Sequence, residues 1–507
     1  MKKIIALVLL LCLTVALFAS CGNGAADPAE TQKPGQGQET GTAESQPESD
    51  RPSETETDAP ARDYIADGLR DENFNKFVFN IMYSPARGLM VINLEDAQTG
   101  DLIEDTLYEC SSAVAERFNI LYERTDGGDD HGLADKLEAS VLSGTKNEFA
   151  MTIGHDYLSV RNSMKGYYAD LTDADAFDFS KPWWPEKNLQ STSIGGRMYV
   201  ASSYVSYSPM TGAGILAFNK KMMADRNLEA PYEEAFDRDW YMEDLIQYAA
   251  RGHNDADADG TIDIDAGEQY GFVMGSMAAT GFERSMDVVP VGKDSEDMPE
   301  YALDAERAYT MLELLGRLLE SGKRFDENNS QFEAFKNNGA LFLYTSTRDV
   351  YRKVRTYVDV TYGFLPVPML DESQTDYIAG ASDMLWGVPQ TSVDQFHQIS
   401  TIIEALSCQC YNYVVPAFYE TTLQTKLSDA EEDIKVLDIV RDATAMPFAY
   451  FFGTALGGLD IAMAELPRQT TASGLSSYIA AREATLIRNI AQLIDDFYAI
   501  EELQNHA

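Results

Sequence analysis

Acidic residues at alternating positions give residues 253–272 a recognisable metal-binding pattern. Asp255, Asp257 and Asp259 are followed by Gly260, which matches positions 1, 3, 5 and 6 of the EF-hand calcium loop. Carboxylate and carbonyl oxygens at this spacing are the ligands that Ca²⁺ prefers. The stretch therefore predicts a calcium loop.

The end of this loop departs from the EF-hand pattern. Thr261 offers its carbonyl oxygen at position 7 and Asp263 falls at position 9, but position 12, where a bidentate Glu belongs, is Ala266. Glu268, or alternatively Asp265, would supply the last carboxylate from a longer loop. A calcium sensor needs a second helix here, whereas the sequence continues into an apolar strand. We expect a structural calcium brace, and the alternative is a solvated acidic turn.

Motifs of the common catalytic sites are absent from the sequence. It contains no GxSxG, Walker A, GxGxxG or HExxH pattern, and its five histidines show no ligand spacing. Pairs of carboxylates of the kind that glycosidases use carry no information in a chain with 82 acidic residues. We therefore expect no catalysis and no required cofactor.

Aromatic residues at predicted strand ends and in loops indicate a different chemistry. Rings stack on the apolar C–H faces of sugars, while polar neighbours such as Asp156, Arg348 and Asp383 bind the hydroxyls. Core packing is the competing explanation for each ring, and we expect it to hold for about half of them. The rings are those of Tyr83, Tyr157, Trp183, Trp184, Tyr204, Tyr207, Tyr344, Trp386, Tyr450, Phe451 and Phe452.

The elements that position these residues begin at about residue 75. Apolar runs at 76–83, 119–124 and 149–154 predict buried strands, and apolar residues at helical spacing between them predict two helices. This β-α-β-α-β order predicts a mostly parallel, doubly wound sheet. Ligands bind beyond the carboxyl ends of such strands, so we expect Tyr83 and the segment 155–157 to lie at the site.

The rest of the chain continues this α/β pattern. Further strands are predicted at 339–344, 361–370 and 383–389, and helices around 304–322 and 402–410, with a last long helix near the C-terminus. Cys408 and Cys410 point to different sides of a helix, so they, like Cys110, are expected to be buried free thiols.

The first residues resemble the signal peptide of a bacterial lipoprotein. Lys2 and Lys3 precede an apolar run from Ile4 to Phe18, which at about fifteen residues is shorter than a membrane-spanning helix. Ala19-Ser20 then precede Cys21, as in a lipobox, although that motif prefers Leu where Phe18 stands. We expect residues 1–21 to be a signal peptide that ends at a diacylated (palmitate-type) Cys21. The alternative is ordinary cleavage that leaves a free secreted protein.

Residues 22–62 predict a disordered acidic tether. They contain no aromatic residue and no Leu, Ile, Val or Met, and such a segment cannot bury enough apolar area to fold. A flexible chain of this length has an r.m.s. reach of roughly 35 Å, which suits a spacer between a membrane anchor and a folded body.

Charge and length narrow the functional classes further. The formal net charge of −43 argues against nucleic acid or anionic lipid as a partner. At 507 residues the chain is expected to form two or more domains.

From about residue 75 onwards the sequence resembles the bacterial extracellular solute-binding proteins of ABC importers. It is most similar to the sugar-type group related to maltodextrin-binding protein. The segments that carry the resemblance follow one another in the family's order, and they are GHDYLSVRNSMKGYYADLTD, ILAFNKKMMADRNLEAPYEEAFDRDWYMEDLIQYA, GALFLYTSTRDV, YGFLPVPM, DMLWGVPQTSVD and EALSCQCYNYVVPAFYETTLQTK. D-x-D-x-D-G loops followed by Tyr-Gly also occur in this family after the same helix.

The resemblance implies a two-lobed, periplasmic-binding-protein-like α/β fold of type II. Each lobe would be a doubly wound, mostly parallel sheet with flanking helices, and the ligand would lie in the cleft between the lobes. Lobe 1 would comprise residues 63–205 and 380–430, and lobe 2 residues 206–379 and 431–507. The implied ligand contacts are Tyr83, Asp156, Tyr157, Tyr207, Tyr344, Arg348 and Trp386, with Trp183, Trp184 and Phe452 as further candidates.

The function implied by the resemblance is capture of a small molecule, above all an oligosaccharide, for delivery to membrane permease subunits. The protein would act as a monomer, held by lipid on Cys21 at the extracellular face of the cell membrane. Three alternatives stay open at this point: a surface glycoside hydrolase or lyase, a binding protein for peptides or another non-sugar solute, and a sensor that acts with a membrane kinase.

Overall fold

Strands of the described chain assemble into two larger sheets and two short ladders. The computed structural model describes residues 64–85, 100–206, 208–275, 279–325, 330–380, 384–418 and 430–505. In chain order the strands are β1 Phe77–Tyr83, β2 Ile120–Asp126, β3 Met151–His155, β4 Gly214–Asn219, β5 Tyr270–Gly275, β6 Val291–Lys293, β7 Pro299–Tyr301, β8 Gly322–Phe325, β9 Ala340–Ser346, β10 Tyr362–Leu365, β11 Ala379–Gly380, β12 Met384–Gly387 and β13 Thr444–Ala445.

Helices connect and cover these strands. In chain order they are α1 Leu102–Phe118, α2 Asp130–Ser143, α3 Asp156–Ser163, α4 Glu186–Thr192, α5 Ser208–Gly212, α6 Lys220–Asp225, α7 Tyr232–Asp237, α8 Met242–Gly252, α9 Ala279–Arg284, α10 Ala305–Leu318, α11 Ser330–Lys336, α12 Thr347–Arg352, α13 Phe396–Gln409, α14 Ala430–Asp442, α15 Phe448–Phe451, α16 Leu466–Gln469 and α17 Leu475–Asn505. A π-helical turn, Cys410–Val414, extends α13.

The first sheet has the strand order β12-β3-β1-β2. Strand β1 pairs in parallel with β2 and β3, and β12 runs antiparallel to β3. The two helices between these strands begin and end where the sequence provides caps: the Asp101 and Asp129 side chains accept backbone N–H groups at their N-termini, and Asn119 and Gly144 end them in the left-handed conformation. The β-α-β-α-β unit predicted from the sequence is therefore confirmed.

The second sheet has the strand order β10-β4-β9-β5-β8. Its β5 pairs in parallel with β8 and β9, whereas β4 runs antiparallel to β9 and β10. Both β4 and β12 are the first strands after the chain passes from one sheet to the other. No crossover helix of the same sheet precedes them, so nothing imposes a parallel direction on them.

Between the two sheets the chain crosses several times, and β11 and β13 form a short parallel ladder there. Helix α9 lies directly against this ladder because two glycines meet at the contact. A Cβ on Gly380 would lie 2.2 Å from the carbonyl oxygen of Gly281, and one on Gly281 would lie 2.4 Å from the phenol oxygen of Tyr344. Both positions therefore need glycine for close approach.

The core is rich in aromatic residues, and Trp183, Trp240 and Trp386 are fully buried. Its three cysteines, Cys110, Cys408 and Cys410, are buried and free, as predicted. The Cys410 thiol forms a hydrogen bond with Cys110, which together with burial raises the pKa of Cys410 well above its usual value.

The first described residues are attached to helices of the first sheet. The carboxamide of Asn412 pairs with the backbone of Ile65, with Ile65 N 3.0 Å from Asn412 Oδ1 and Asn412 Nδ2 2.9 Å from the Ile65 carbonyl oxygen. The Arg117 guanidinium on α1 lies 2.6 Å from Asp67 and 2.9 Å from Asp71. Residues 64–71 are thus held by side chains before β1 begins.

The described residues belong to one compact unit, Ala59–Ala507, and residues 1–63 lie outside the described part of the chain. None of the described helices combines the length and apolar character needed to cross a bilayer. Helix α17 contacts β7 and also packs Phe497 against Tyr199, so the C-terminal segment contacts parts of both predicted lobes. The division into lobes at residues 205/206, 379/380 and 430/431 stays a prediction.

Candidate functional site

The carboxyl ends of β1 and β3 lie side by side, which brings Tyr83 close to the segment that begins α3. In the pairing of the strands, Tyr83 lies opposite Ile153, two residues before the end of β3. The Tyr83 ring is half-buried beneath the Arg124 guanidinium, 5.5 Å from the ring centroid. The rule that ligands bind beyond the carboxyl ends of parallel strands thus selects this edge of the first sheet.

Asp156, the first residue of α3, is fully buried at this edge. Its Oδ1 lies 2.6 Å from His155 Nδ1 and accepts the Tyr157 backbone N–H at 2.7 Å. Its Oδ2 is buried and has no hydrogen-bond partner among the described residues. Such an oxygen costs free energy unless a donor reaches it, so Asp156 Oδ2 is an acceptor that the described residues leave without a donor.

Tyr450 lies near both Asp156 and Arg284. The Arg284 guanidinium lies over the Tyr450 ring, 3.9 Å from its centroid. Burial, followed by the negative charge of Asp156, raises the pKa of Tyr450 to about 12, while Arg284 opposes this shift. A half-buried phenol is therefore influenced by the carboxylate that follows β3 and by the guanidinium at the end of α9.

Glu283 and Tyr344 extend this polar cluster into the second sheet. Burial raises the pKa of Glu283 well above its usual value. Tyr344 is almost fully buried on β9, with its ring 5.1 Å from that of Phe282. Burial raises the pKa of Tyr344 well above its ordinary value, which Arg284 partly opposes. In this conformation Tyr344 forms the base of the cluster and has no surface open to solvent.

Arg284 and Glu283 are functional candidates that the sequence analysis missed. They are the last two residues of α9, whereas Asp156 comes directly after β3, so no strand-end pattern in the sequence marks them. The adjacent residues 86–99, 276–278 and 381–383 lie outside the described part of the chain.

The predicted tryptophan contacts lie in the core. Trp386 is fully buried, and its Nε1 donates to Ser203 Oγ at 3.0 Å. The Nε1 groups of Trp183 and Trp184 donate to the two oxygens of Glu404, at 3.0 and 3.1 Å. Because these N–H groups are satisfied internally and the rings are covered, a ligand reaches none of them in this conformation. Trp386 as a contact stays a prediction that the packing does not favour.

The remaining predicted contacts differ in accessibility. Arg348 is partly exposed in the first turn of α12, and Tyr157 is half-buried with its ring 4.4 Å from that of His155. Phe452 is buried and stacked on Phe448, with the centroids 4.2 Å apart. Tyr207, like Cys21, lies outside the described residues.

The acidic loop brings three of its six predicted ligands together. Carboxylate oxygens of Asp255, Asp257 and Glu268 lie within 4.8 Å of one another. Glu268 is buried, and its two oxygens accept the backbone N–H groups of Ala256 and Asp263, at 2.9 and 2.8 Å. This position for the last carboxylate agrees with the longer loop expected from the sequence.

The other predicted ligands have different roles in this geometry. The Asp259 carboxylate accepts the Thr261 backbone N–H at 2.7 Å, and the Asp263 carboxylate accepts from Asp265 and Ala266 as the cap of a short 3-10 turn. A pair of backbone hydrogen bonds between Asn254 and Gln269, each 2.9 Å, closes the loop at its base. The loop is thus a closed appendage at the start of β5.

Comparison with solved structures finds the same fold in bacterial proteins of low sequence identity. A cyclic alpha-maltosyl-1,6-maltose binding protein from Arthrobacter globiformis is 13% identical, with a TM-score of 0.54 over 82% of this chain and 100% of that chain. UspC from Mycobacterium tuberculosis is 13% identical, with a TM-score of 0.52 over 81% of this chain and 100% of that chain. An uncharacterised protein from Listeria monocytogenes is 10% identical, with a TM-score of 0.55 over 81% and 100%.

No protein-family model and no curated protein matches the chain. The structural likeness shows the fold: a two-lobed, periplasmic-binding-protein-like α/β architecture of type II, with parallel-rich mixed sheets. The fold class predicted from the sequence is confirmed.

Proposed function

We propose that this protein captures a sugar-like solute between its two lobes and delivers it to an ABC importer. The observation that carries this proposal is the cluster of Asp156, Tyr450 and Arg284, in which groups from the two sheets face one another. Its place beyond the strand ends is where α/β folds bind small molecules. The fold shared with the Arthrobacter maltosyl-maltose binding protein supports the same conclusion.

The chemistry of the cluster suits hydroxylated ligands. Asp156 Oδ2 is an acceptor without a protein donor among the described residues, and a sugar hydroxyl supplies one. Tyr157 and Tyr450 are half-buried rings that can cover a C–H face of the same ligand. Binding would therefore combine a charge-assisted hydrogen bond with stacking, and closure of the lobes would exclude water from both.

Binding without turnover is the function that these groups favour. A glycosidase needs a carboxyl of raised pKa beside the substrate. Burial raises the pKa of Glu404 to about 8, but this carboxyl is fully buried and held by Trp183 and Trp184. Glu283, whose pKa is also raised, belongs to the cluster itself, so incubation with oligosaccharides is the test and should give no hydrolysis product. The fold shared with a binding protein favours the same view.

A panel of oligosaccharides, including maltooligosaccharides, tests the proposal by isothermal titration and thermal shift on the full chain. At a ligand concentration of 100 Kd, stabilisation should be about 2.7 kcal/mol. Asp156→Asn should weaken binding about 10- to 100-fold, because a hydrogen bond to a charged group contributes about 1.5–3 kcal/mol. Asp135→Asn, an exposed carboxylate on α2, is the matched control and should bind normally. Binding that is equal in both variants would refute the role of Asp156, and a panel without any binder would refute the proposal.

Attachment to the extracellular side of the membrane is part of the proposed function. Diacylated Cys21 and the tether 22–62 would hold the binding unit near permease subunits, with the protein acting as a monomer. Cys21→Ser should release the protein from the membrane fraction into the medium. Retention of this variant in the membrane fraction would contradict anchoring through Cys21.

The acidic loop is proposed to bind calcium as a brace. Asp255, Asp257 and Glu268 would supply the carboxylates, and Ca²⁺ prefers such oxygen ligands. Addition of Ca²⁺ should raise the Tm of the chelator-treated protein and leave its ligand specificity unchanged. Asp257→Asn should lose this response and Asp237→Asn, an exposed carboxylate on α7, should keep it. An equal response in both variants would contradict the assignment.

A further inference from the structure

A hairpin from the half of the molecule that contains the second sheet binds a loop of the half that contains the first sheet. Strands β6 and β7 form this hairpin, which lies in the chain between β5 and β8 of the second sheet. It contacts residues 190–197, which lie between β3 and the Ala201–Trp386 bridge at the edge of the first sheet. We call the pair Lys293 and Asp297, together with the loop Ser193–Arg197, the clasp.

Lys293 is the centre of the clasp. Its ammonium group donates to the carbonyl oxygens of Gln190 and Ser193, the latter at 2.6 Å, and contacts Ser193 Oγ at 2.9 Å and Asp297 Oδ1 at 2.8 Å. These carbonyls belong to the C-terminal turn of α4 and the residue that caps it, where the helix dipole favours a cation. Burial, opposed by Asp297, lowers the pKa of Lys293.

Asp297 completes the grip through the backbone of the loop. Its Oδ2 accepts the Gly196 N–H at 3.0 Å, and its own carbonyl oxygen accepts the Gly195 N–H at 3.1 Å. Both glycines have positive φ, at +57° and +75°, and this turn presents successive N–H groups to one acceptor residue. The Met298 sulfur lies against Gly195, where a Cβ would come within 3.3 Å of it. The loop therefore offers two N–H groups to Asp297 and leaves space at Gly195 for the Met298 side chain.

The interface at α4 combines a packed contact with an open cavity, and in the packed part the buried Asn188 Oδ1 accepts the Met446 N–H at 2.9 Å. Near the other end of this helix, Lys187 lies 3.5 Å from Asp376 and donates to the Tyr377 carbonyl oxygen at 3.2 Å. Between the two attachments lies a cavity of about 400 Å³, lined among others by Lys187, Gln190, Val288, Ile378 and Phe448. Polar attachments around an open cavity are typical of surfaces that separate, whereas an immobile core is close-packed.

We propose that the clasp is a conformational latch, which holds the two halves of the molecule together and limits their separation before any ligand binds. Loss of the clasp shifts the free protein towards a more open arrangement. Because two charged groups and two backbone N–H groups carry the contact, removal of either charge leaves the other groups without their partners and releases the hairpin. The latch acts independently of which solute the protein binds.

Distance measurements on the full chain, without ligand, test the latch. Spin labels on Leu142→Cys and Val358→Cys, which are exposed positions in the two halves, report the separation by pulsed electron paramagnetic resonance. Cys110, Cys408 and Cys410 are buried and should stay unlabelled, and Cys12 and Cys21 are replaced by serine so that the introduced thiols alone react. Lys293→Met and Asp297→Asn should each add a longer-distance population that the parent lacks, and should speed hydrogen exchange at Gly195 and Gly196. Lys293→Arg, which keeps the charge, should restore most of the parent distribution.

The matched control is Lys221→Met. Lys221 forms an ion pair of the same i,i+4 spacing with Asp225, but wholly within one short helix of the second half, α6. This variant should leave the distance distribution unchanged. Circular dichroism and Tm establish that each variant is folded, and Asp297→Asn provides a second, milder change if Lys293→Met is not. Parent-like distances in folded clasp variants, or the same shift in Lys221→Met, would overturn the proposal.

Discussion

Glu404 provides the sharpest test of the energetics of the buried polar groups. Its carboxyl is fully buried on α13 and accepts both indole N–H groups, from Trp183 and Trp184. Burial raises its pKa from 4.5 to about 8, although the two indole N–H groups favour the ionised form. At pH 7 we therefore expect Glu404 to be neutral in the folded protein and ionised in the unfolded chain.

The magnitude follows from proton linkage. Between pH 4.5 and about 8 the folded protein holds one proton more than the unfolded chain at this site. Each unit of pH in that window then lowers the free energy of unfolding by about 1.4 kcal/mol. Between pH 4.5 and about 8 the contribution of Glu404 to the free energy of unfolding therefore falls by about 5 kcal/mol. Its full value is present below pH 4.5, and no further loss occurs above the folded-state pKa.

Glu404→Gln removes the titrating proton, so it should remove the part of the pH dependence of the free energy of unfolding that Glu404 causes. The free energy of unfolding of both proteins is measured by urea denaturation at half-unit steps from pH 4.5 to 8.5. Other groups contribute equally to the two curves, so their difference isolates Glu404. Wild-type protein should lose about 5 kcal/mol relative to the variant across this range. The changed hydrogen bonding of the amide adds an offset that does not depend on pH.

An exposed glutamate serves as the control for Glu404. Glu313→Gln, at an exposed position on α10, should give a curve parallel to that of the wild type. A Glu404→Gln curve that also runs parallel would show that Glu404 is ionised in the folded state. In that case the reasoning from burial would be wrong.

Two further predictions concern a glycine contact and a histidine. Gly281→Ala should lower the free energy of unfolding by about 1–3 kcal/mol through overpacking, because its Cβ would lie 2.4 Å from the Tyr344 phenol oxygen. Gly316→Ala, with open space around it in α10, should raise the free energy of unfolding by about 0.5–1 kcal/mol. Equal effects in urea denaturation would contradict the close approach. The pKa of His397 is raised by Asp175 and Glu72, so its stabilising contribution is full below pH 6.5 and is lost as pH rises through the folded-state pKa. His397→Gln should therefore destabilise more at pH 6 than at pH 9 in thermal denaturation, and an equal loss at both would contradict the ion pairs.

Local sequence signals predicted the first sheet well, because the patterns that determine its strands and helices extend over only a few residues. The run FVFNIMY and the helical spacing of the apolar residues that follow it each act within a few residues of one another. The position of Asp156 directly after β3 likewise follows from the local pattern. For the same reason the loop at 255–268 was recognisable, since its carboxylates are neighbours in the chain.

The environment of each aromatic ring depends on distant residues, and there the sequence was uninformative. Trp183 is hydrogen bonded to a glutamate 221 positions away, and Trp386 to a serine 183 positions away. The neighbouring residues in the sequence do not distinguish such a core tryptophan from one that binds a sugar. Tyr450 and Arg284 are likewise brought to Asp156 by the return of the chain between the two sheets, which local patterns do not specify.

The attachment of Ile65 to Asn412 has a mechanical consequence. Tension on the chain before Tyr64 acts first on this backbone–carboxamide pair and on the ion pairs of Arg117, before it can reach β1 at Phe77. Both attachments are made to helices of the first half of the molecule. A pull along the N-terminal segment therefore acts on the half that contains the first sheet, and it reaches the other half only through the contacts between them.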